Sequence, residues 1–83
     1  MYYVYVLKSL KDYLLYIGFT SNLKRRIKEH QDGENISTKC RRPFKLLYYE
    51  AHTSEKDAIR RERYFKTNKG KSTLKQVLRE ALA

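Results

Sequence analysis

The sequence holds a single cysteine, one proline, three glycines and no tryptophan in 83 residues. A lone Cys40 can close no intrachain disulfide and cannot anchor a cysteine-rich zinc site, which fits a reducing, cytoplasmic setting. No apolar run approaches the ~20 residues of a membrane span, and no charged-then-apolar leader stands at the start. A protein without a membrane phase is therefore expected. Pro, Gly and Ser form no linker, no unit repeats and no stretch is of low complexity. Acidic residues are also scarce, with nine Asp and Glu against nineteen Lys and Arg.

What the chain does have is enough for one small core. Its apolar content is 41% and its aromatic content 13%, so a disordered tail is excluded and one domain over residues 1–83 is expected. The formal net charge of +10 points to a polyanionic partner, because each neutralised phosphate releases condensed counterions. The same charge also serves solubility, and a monomer is the default state. An acidic membrane surface fits less well, since no segment pairs a basic face with a broad apolar one.

Periodicity predicts six elements. Tyr2–Leu7 is β-branched and aromatic, and Leu14–Phe19 reads as a second strand after a polar turn, so the two form an antiparallel hairpin. Thr20, Ser21 and Asn22 are N-cap types, and the helix they open stops at Gly33. Residues 33–42 read as an exposed loop, and Phe44–His52 as the third strand. Ser54 with Asp57 suggests a loose capping box for a helix to about Lys66. Thr67–Lys71 reads as a break, with Ser72 capping a last amphipathic helix that carries Leu74, Val77, Leu78, Ala81 and Leu82. The expected fold is α+β, a three-stranded antiparallel sheet flanked by helices in the order β-β-α-β-α-α.

Three features break the packing pattern. Glu62 falls on the inward stripe of its helix, between Ala58, Ile59 and Phe65, where a carboxylate must meet a cation, a metal or a solvated cleft. A plainer reading puts it at the stripe's edge, paired with a neighbouring Arg. Arg26 shares a face with Leu23, Ile27 and His30, and its planar fork suits a phosphate. His30 reads equally as a satisfied core histidine. Tyr3 and Tyr5 alternate onto one face of the first strand, with Tyr16 across the hairpin, a pattern that packing alone also explains. Together, two phenols, an Arg, a His and a carboxylate on one sheet face suit phosphodiester cleavage. One carboxylate with several waters suffices for Mg²⁺, and the Arg stabilises charge growing on phosphorus.

At these residues the sequence resembles the GIY-YIG nuclease superfamily, and within it the small stand-alone YhbQ-like type. Tyr3-Val4-Tyr5 stands at the G-I-Y element and Tyr16-Ile17-Gly18 at the Y-I-G element. Gly18–Arg26 (GFTSNLKRR) with Arg26-x-x-x-His30 resembles the family's Arg- and His-bearing helix, and Asp57–Lys66 (DAIRRERYFK) its metal-site helix. The resemblance implies the family's endonuclease fold. It implies that Tyr5 and Tyr16 organise the attacking water, Arg26 contacts the scissile phosphate and Glu62 binds Mg²⁺ or Mn²⁺. His30 would assist near the leaving group or hold phosphate, and Lys66 would line the site. Gly18 suits a close backbone approach, and Asn68 stands for the family's late Asn, closer to Glu62 than the pattern expects. The first element lacks its Gly, and Phe19 stands where many members carry a Lys.

The expected activity is metal-dependent endonucleolytic hydrolysis of DNA, with structure-specific cutting in repair or recombination as the role the resemblance implies. The alternative is a basic binding module that holds nucleic acid without cutting it. Lys39, Arg41, Arg42, Arg60, Arg61 and Arg63 serve both readings as phosphate contacts, for RNA as for DNA. Glu62 separates them, because a binder has no use for a carboxylate aimed at phosphates.

Overall fold

The structure, a computed structural model, describes residues Met1 to Ala83. Strands β1 (Tyr2–Ser9), β2 (Leu15–Thr20) and β3 (Phe44–His52) form one antiparallel sheet in the order β2-β1-β3. Helix α1 (Leu23–Asp32) follows β2, and α2 (Glu55–Phe65) and α3 (Asn68–Val77) follow β3. The α+β order expected from periodicity is the observed one.

β1 takes the centre and pairs with both neighbours. Val4, Tyr5, Val6 and Leu7 are accordingly all fully buried, since a central strand covered on both faces has no solvent side. Strand alternation then sorts them. Val4 and Val6 point into a core with Ile17, Ala58, Phe65, Leu74 and Leu78 under α2 and α3. Tyr5 and Leu7 point the other way, into a smaller cluster with Phe44 that is roofed by Leu23 and Ile27 of α1.

Local chemistry sets most boundaries. The Asn22 side chain accepts the Arg25 N–H at the start of α1, and Gly33 ends the helix in the left-handed region at φ 78°. Ser54 caps α2 by accepting the Asp57 N–H. The return half of a capping box is absent, because Asp57 Oδ1 instead accepts from Arg60 at 2.7 Å.

Two expectations are corrected. The last helix begins at Asn68, not after Ser72, with the Thr67 hydroxyl accepting the Gly70 N–H. Gly70 permits the early start: a Cβ there would stand 1.8 Å from the Tyr64 carbonyl oxygen, so the apparent break is where α3 crosses the end of α2. The turns over Leu78–Ala83 lie beyond the helix, which ends at Val77. Residues 33–42 are likewise more than an exposed loop. Lys39–Arg41 form a 3-10 turn and Thr38 is fully buried. Ser9 Oγ donates to Arg41 O at 2.6 Å and Lys11 Nζ to Cys40 O at 3.0 Å, so the segment docks on the β1–β2 turn.

Candidate active site

Tyr5 lies at the centre of the α1 face. It pairs across the ladder with Gly18 of β2, and its ring crosses that residue directly. A Cβ on Gly18 would meet the Tyr5 hydroxyl oxygen at 2.3 Å, so only glycine leaves room for the phenol. Gly18 is buried and offers nucleic acid no surface of its own. Its service is to Tyr5.

The Tyr5 hydroxyl is 2.8 Å from Nε2 of His30, a residue as fully buried as Tyr5 itself. His30 comes from the last turn of α1, one turn past Arg26, and its Nδ1 lies 2.8 Å from the Thr38 hydroxyl. Both ring nitrogens are engaged within the protein. The expectation that His30 reaches a leaving group or holds phosphate is not met in this geometry. Its role runs through Tyr5. Burial, and then the charge of Arg26, lower the His30 pKa below the usual histidine value, so the ring is neutral at pH 7.

Burial also pushes Tyr5 up to about 12, partly opposed by Arg26 and reinforced by Tyr16 and Glu62. Tyr5 is therefore a neutral phenol at pH 7. Tyr16, half-buried on β2, places its ring 5.1 Å edge-on from His30 and 6.3 Å from Tyr5. Tyr5 and Glu29 hold the Arg26 guanidinium charged, against partial desolvation. Its well-directed hydrogen bond goes to Glu29 Oε1 at 3.1 Å.

Glu62 belongs to α2. It acts electrostatically on Tyr5, its side chain is 20% exposed, and Lys66 Nζ donates to Oε2 at 3.3 Å. Here the expectation of one shared sheet face is corrected. The phenols, Arg26 and His30 belong to the α1 side, whereas α2 packs its apolar stripe on the opposite side. The plainer pairing of Glu62 with an Arg is also replaced, because Lys66 is the partner.

The remaining expected contacts divide. Lys39 and Arg42 are exposed, with Arg42 Nε donating to Lys39 O at 3.0 Å. Arg41 is committed to Asp12 at 2.8 Å and is less free for phosphate than its sequence position suggests. Arg61 forks onto Glu50 at 3.0 and 3.1 Å and stacks over Phe65 at 4.3 Å, which makes it a structural cation. Arg60 is held by Asp57, and Arg63 is exposed. Asn68 is exposed in the first turn of α3, outside the groups acting on Tyr5. Phe19, at the position of the family's Lys, stacks on Tyr2 at 6.3 Å and packs toward the α2–α3 core.

Two members of the site were missed. Glu29 carried a signal, since i+3 from Arg26 is a helical neighbour. Thr38 carried none, because its burial depends on how the 33–42 segment docks.

The GIY-YIG catalytic domain model matches residues 1–75. This chain belongs to the GIY-YIG family. That domain defines a nuclease superfamily whose members generally use divalent metals. The UPF0213 protein SH2523 of Staphylococcus haemolyticus is 42% identical over 77 residues, covering 92% of this chain and 93% of that one. The UPF0213 protein CPE1444 of Clostridium perfringens is 46% identical over 67 residues, 80% of this chain and 71% of that one. The solution NMR structure of the UPF0213 protein BH0048 from Bacillus halodurans is similar at 36% identity and TM-score 0.57, covering 93% of this chain and 85% of that one. No helix is long and apolar enough to cross a membrane.

The donor set can be weighed against a metal of that kind. No group of three or more His, Cys, Asp or Glu side chains is placed to cage an ion. Glu62 offers one hard oxygen donor whose charge is felt at Tyr5. That fits an ion such as Mg²⁺, which keeps most of its water and takes further oxygens from a bound phosphate. It does not fit a metal that needs a full protein cage.

Proposed function

We propose that this chain is a divalent-metal-dependent endonuclease that hydrolyses DNA phosphodiester bonds, acting as a single domain. The observation that carries the reading is one buried phenol, Tyr5, that has the Tyr16 ring 6.3 Å away and feels the charges of the Arg26 guanidinium and the Glu62 carboxylate. Phosphoryl transfer asks a protein for positioning and for charge placed where charge develops, and these groups supply both.

Arg26 binds a non-bridging oxygen of the scissile phosphate and stabilises the negative charge that grows there. It is preoriented by Glu29 and remains charged throughout. Half-buried Tyr16 accepts a hydrogen bond from the attacking water and aims it in line with the leaving oxygen. Fully buried Tyr5 acts from behind, through its hydrogen bond to His30 and its effect on Arg26. Glu62 holds the cation, which when bound supplies Lewis-acid stabilisation and an acidified water. The water oxygen bonds to phosphorus as the P–O bond to the leaving oxygen breaks. The proton the water gives up to solvent is balanced by the one the leaving oxygen takes from solvent. Lys39, Arg42 and Arg63 lie exposed and carry the backbone of the duplex, without reading bases. The net charge of +10 makes that binding strongly salt-dependent.

Cleavage of plasmid, branched and single-stranded DNA with Mg²⁺ or Mn²⁺, beside EDTA, tests the reading. Metal-dependent cutting is expected, with Glu62→Gln lowering it about 100-fold or more while DNA affinity holds or rises slightly. Arg26→Ala is expected to lose a similar factor. Wild-type binding with no cutting across the panel would replace the nuclease by a binding module. Equal cutting by both variants would move the site elsewhere.

A further inference from the structure

A third buried polar residue stands behind Tyr5 and His30, and nothing in the proposed chemistry uses it. Thr38 is 0% exposed, as are Tyr5 and His30, and the three form one hydrogen-bonded line from the docked segment to the sheet. A threonine in a polar segment of this kind is ordinarily solvated. Its burial here is tied to His30 Nδ1 at 2.8 Å.

The direction of each hydrogen bond in the line follows from its Thr38 end. At one end, Thr38 Oγ1 lies 3.4 Å from the Asn35 carbonyl oxygen, which can only accept, so the hydroxyl proton points there. That leaves Oγ1 lone pairs for His30 Nδ1, which must then carry the ring's proton. At the other end the Tyr5 hydroxyl lies 2.8 Å from Nε2, which in that tautomer carries no proton and can only accept. The Tyr5 proton therefore goes to Nε2 of His30. A neutral imidazole has one N–H and one acceptor, so the Thr38 end sets the state of both ring nitrogens.

We propose that Thr38 is a positioning residue that fixes His30 as the Nδ1–H tautomer and so turns the Tyr5 proton away from the phosphate site. Tyr5 then presents only lone pairs toward Arg26, and it acts as an oriented acceptor behind the guanidinium rather than on the water. With the other tautomer, Nε2–H would donate into the Tyr5 oxygen and swing the phenolic proton outward, against the charge of Arg26. The fixing residue is itself fixed. Asn35 Oδ1 accepts from Ser37 N at 3.0 Å and from Ser37 Oγ at 2.6 Å, and Asn35 O accepts the Thr38 N–H at 3.1 Å. The 33–42 segment thereby reaches the site without touching substrate.

This inference deepens the nuclease reading and rests on it for the consequence, but its first readout does not involve cleavage. Imidazole ¹⁵N shifts of His30 at pH 7.5 report the tautomer in uncleaving conditions. Wild type is expected to show a protonated Nδ1 and an unprotonated Nε2. Thr38→Val, close in shape and lacking the hydroxyl, is expected to shift the ring toward Nε2–H, and Thr38→Ser to return it to Nδ1–H. In cleavage, Thr38→Val should lower kcat about 10- to 100-fold with KM nearly unchanged, and Thr38→Ser should recover most of it. A wild-type ring protonated on Nε2 overturns the proposal even if no variant folds. So does a Thr38→Val ring that stays on Nδ1–H, or a serine variant that behaves like the valine. A wild type that shows the expected tautomer but cuts nothing leaves the tautomer assignment standing and overturns the nuclease reading instead.

Discussion

The two faces of the sheet are built on different principles. Under α2 and α3 lie seven buried apolar residues, drawn from two strands, both helices and the segment after α3, and close packing holds them. Under α1 the buried apolar side chains are few, and the space is filled by a phenol, an imidazole and a hydroxyl joined by hydrogen bonds. Dispersion and the hydrophobic effect tolerate small rearrangements, whereas a buried polar line is satisfied only in one arrangement. The first face makes the domain stable. The second makes one geometry.

Breaking the larger core should have the largest effect on stability. Phe65→Ala removes a fully buried ring and is expected to cost about 3–5 kcal/mol, measured by urea unfolding. The residual folded fraction should keep its cutting rate per folded molecule. Gly18→Ala sharpens the contrast from the other side. Its methyl group collides with the Tyr5 phenol, so about 1–3 kcal/mol of stability is expected to go. Cutting should fall by far more than the unfolded fraction explains, because Tyr5 must move off Arg26 and His30.

The titration of the polar face gives the smallest and most diagnostic effect. Tyr5 is raised to about 12 on folding, so the native state holds its proton more tightly than the unfolded chain. The stabilisation is complete below pH 10 and is lost as pH rises through 12, by up to about 2 kcal/mol. Tyr48 is also raised to about 12, by burial and by its hydrogen bond to Glu50, on the opposite face. Tyr5→Phe should therefore flatten only part of the alkaline loss. At the acid end His30 is lowered, so its contribution is present above about pH 6.5 and fades as the unfolded chain takes up a proton that the native ring refuses. Chemical denaturation repeated from pH 5 to 11.5 reads both limbs.

Strand and helix identity was legible because period and capping are local. Tyr2–Leu7, Phe44–His52, the Asn22 cap and the Gly33 stop all follow from side chains within a few residues of one another. Glu62 was legible as a carboxylate on an apolar stripe, and Arg26 as a charge beside Leu23 and Ile27. The start of α3 was not. Gly70 looks like a helix breaker in a string of letters, and it becomes a helix former only where the Tyr64 carbonyl crosses within reach. Lys66 as the partner of Glu62 was available from i,i+4 spacing, but Arg41 turning to Asp12 was not, because 29 residues separate them.

The sequence by itself determined the order of elements, the family and the chemical types that meet at the site, since these rest on residue identity and short-range periodicity. The tertiary structure decided who touches whom. It laid Tyr5 over Gly18, paired Glu62 with Lys66 on the helix that packs against the far side of the sheet, and buried Thr38 behind His30. Those contacts join residues distant along the chain, and their energies exist only once the docked segments exclude water and leave each polar group a single partner.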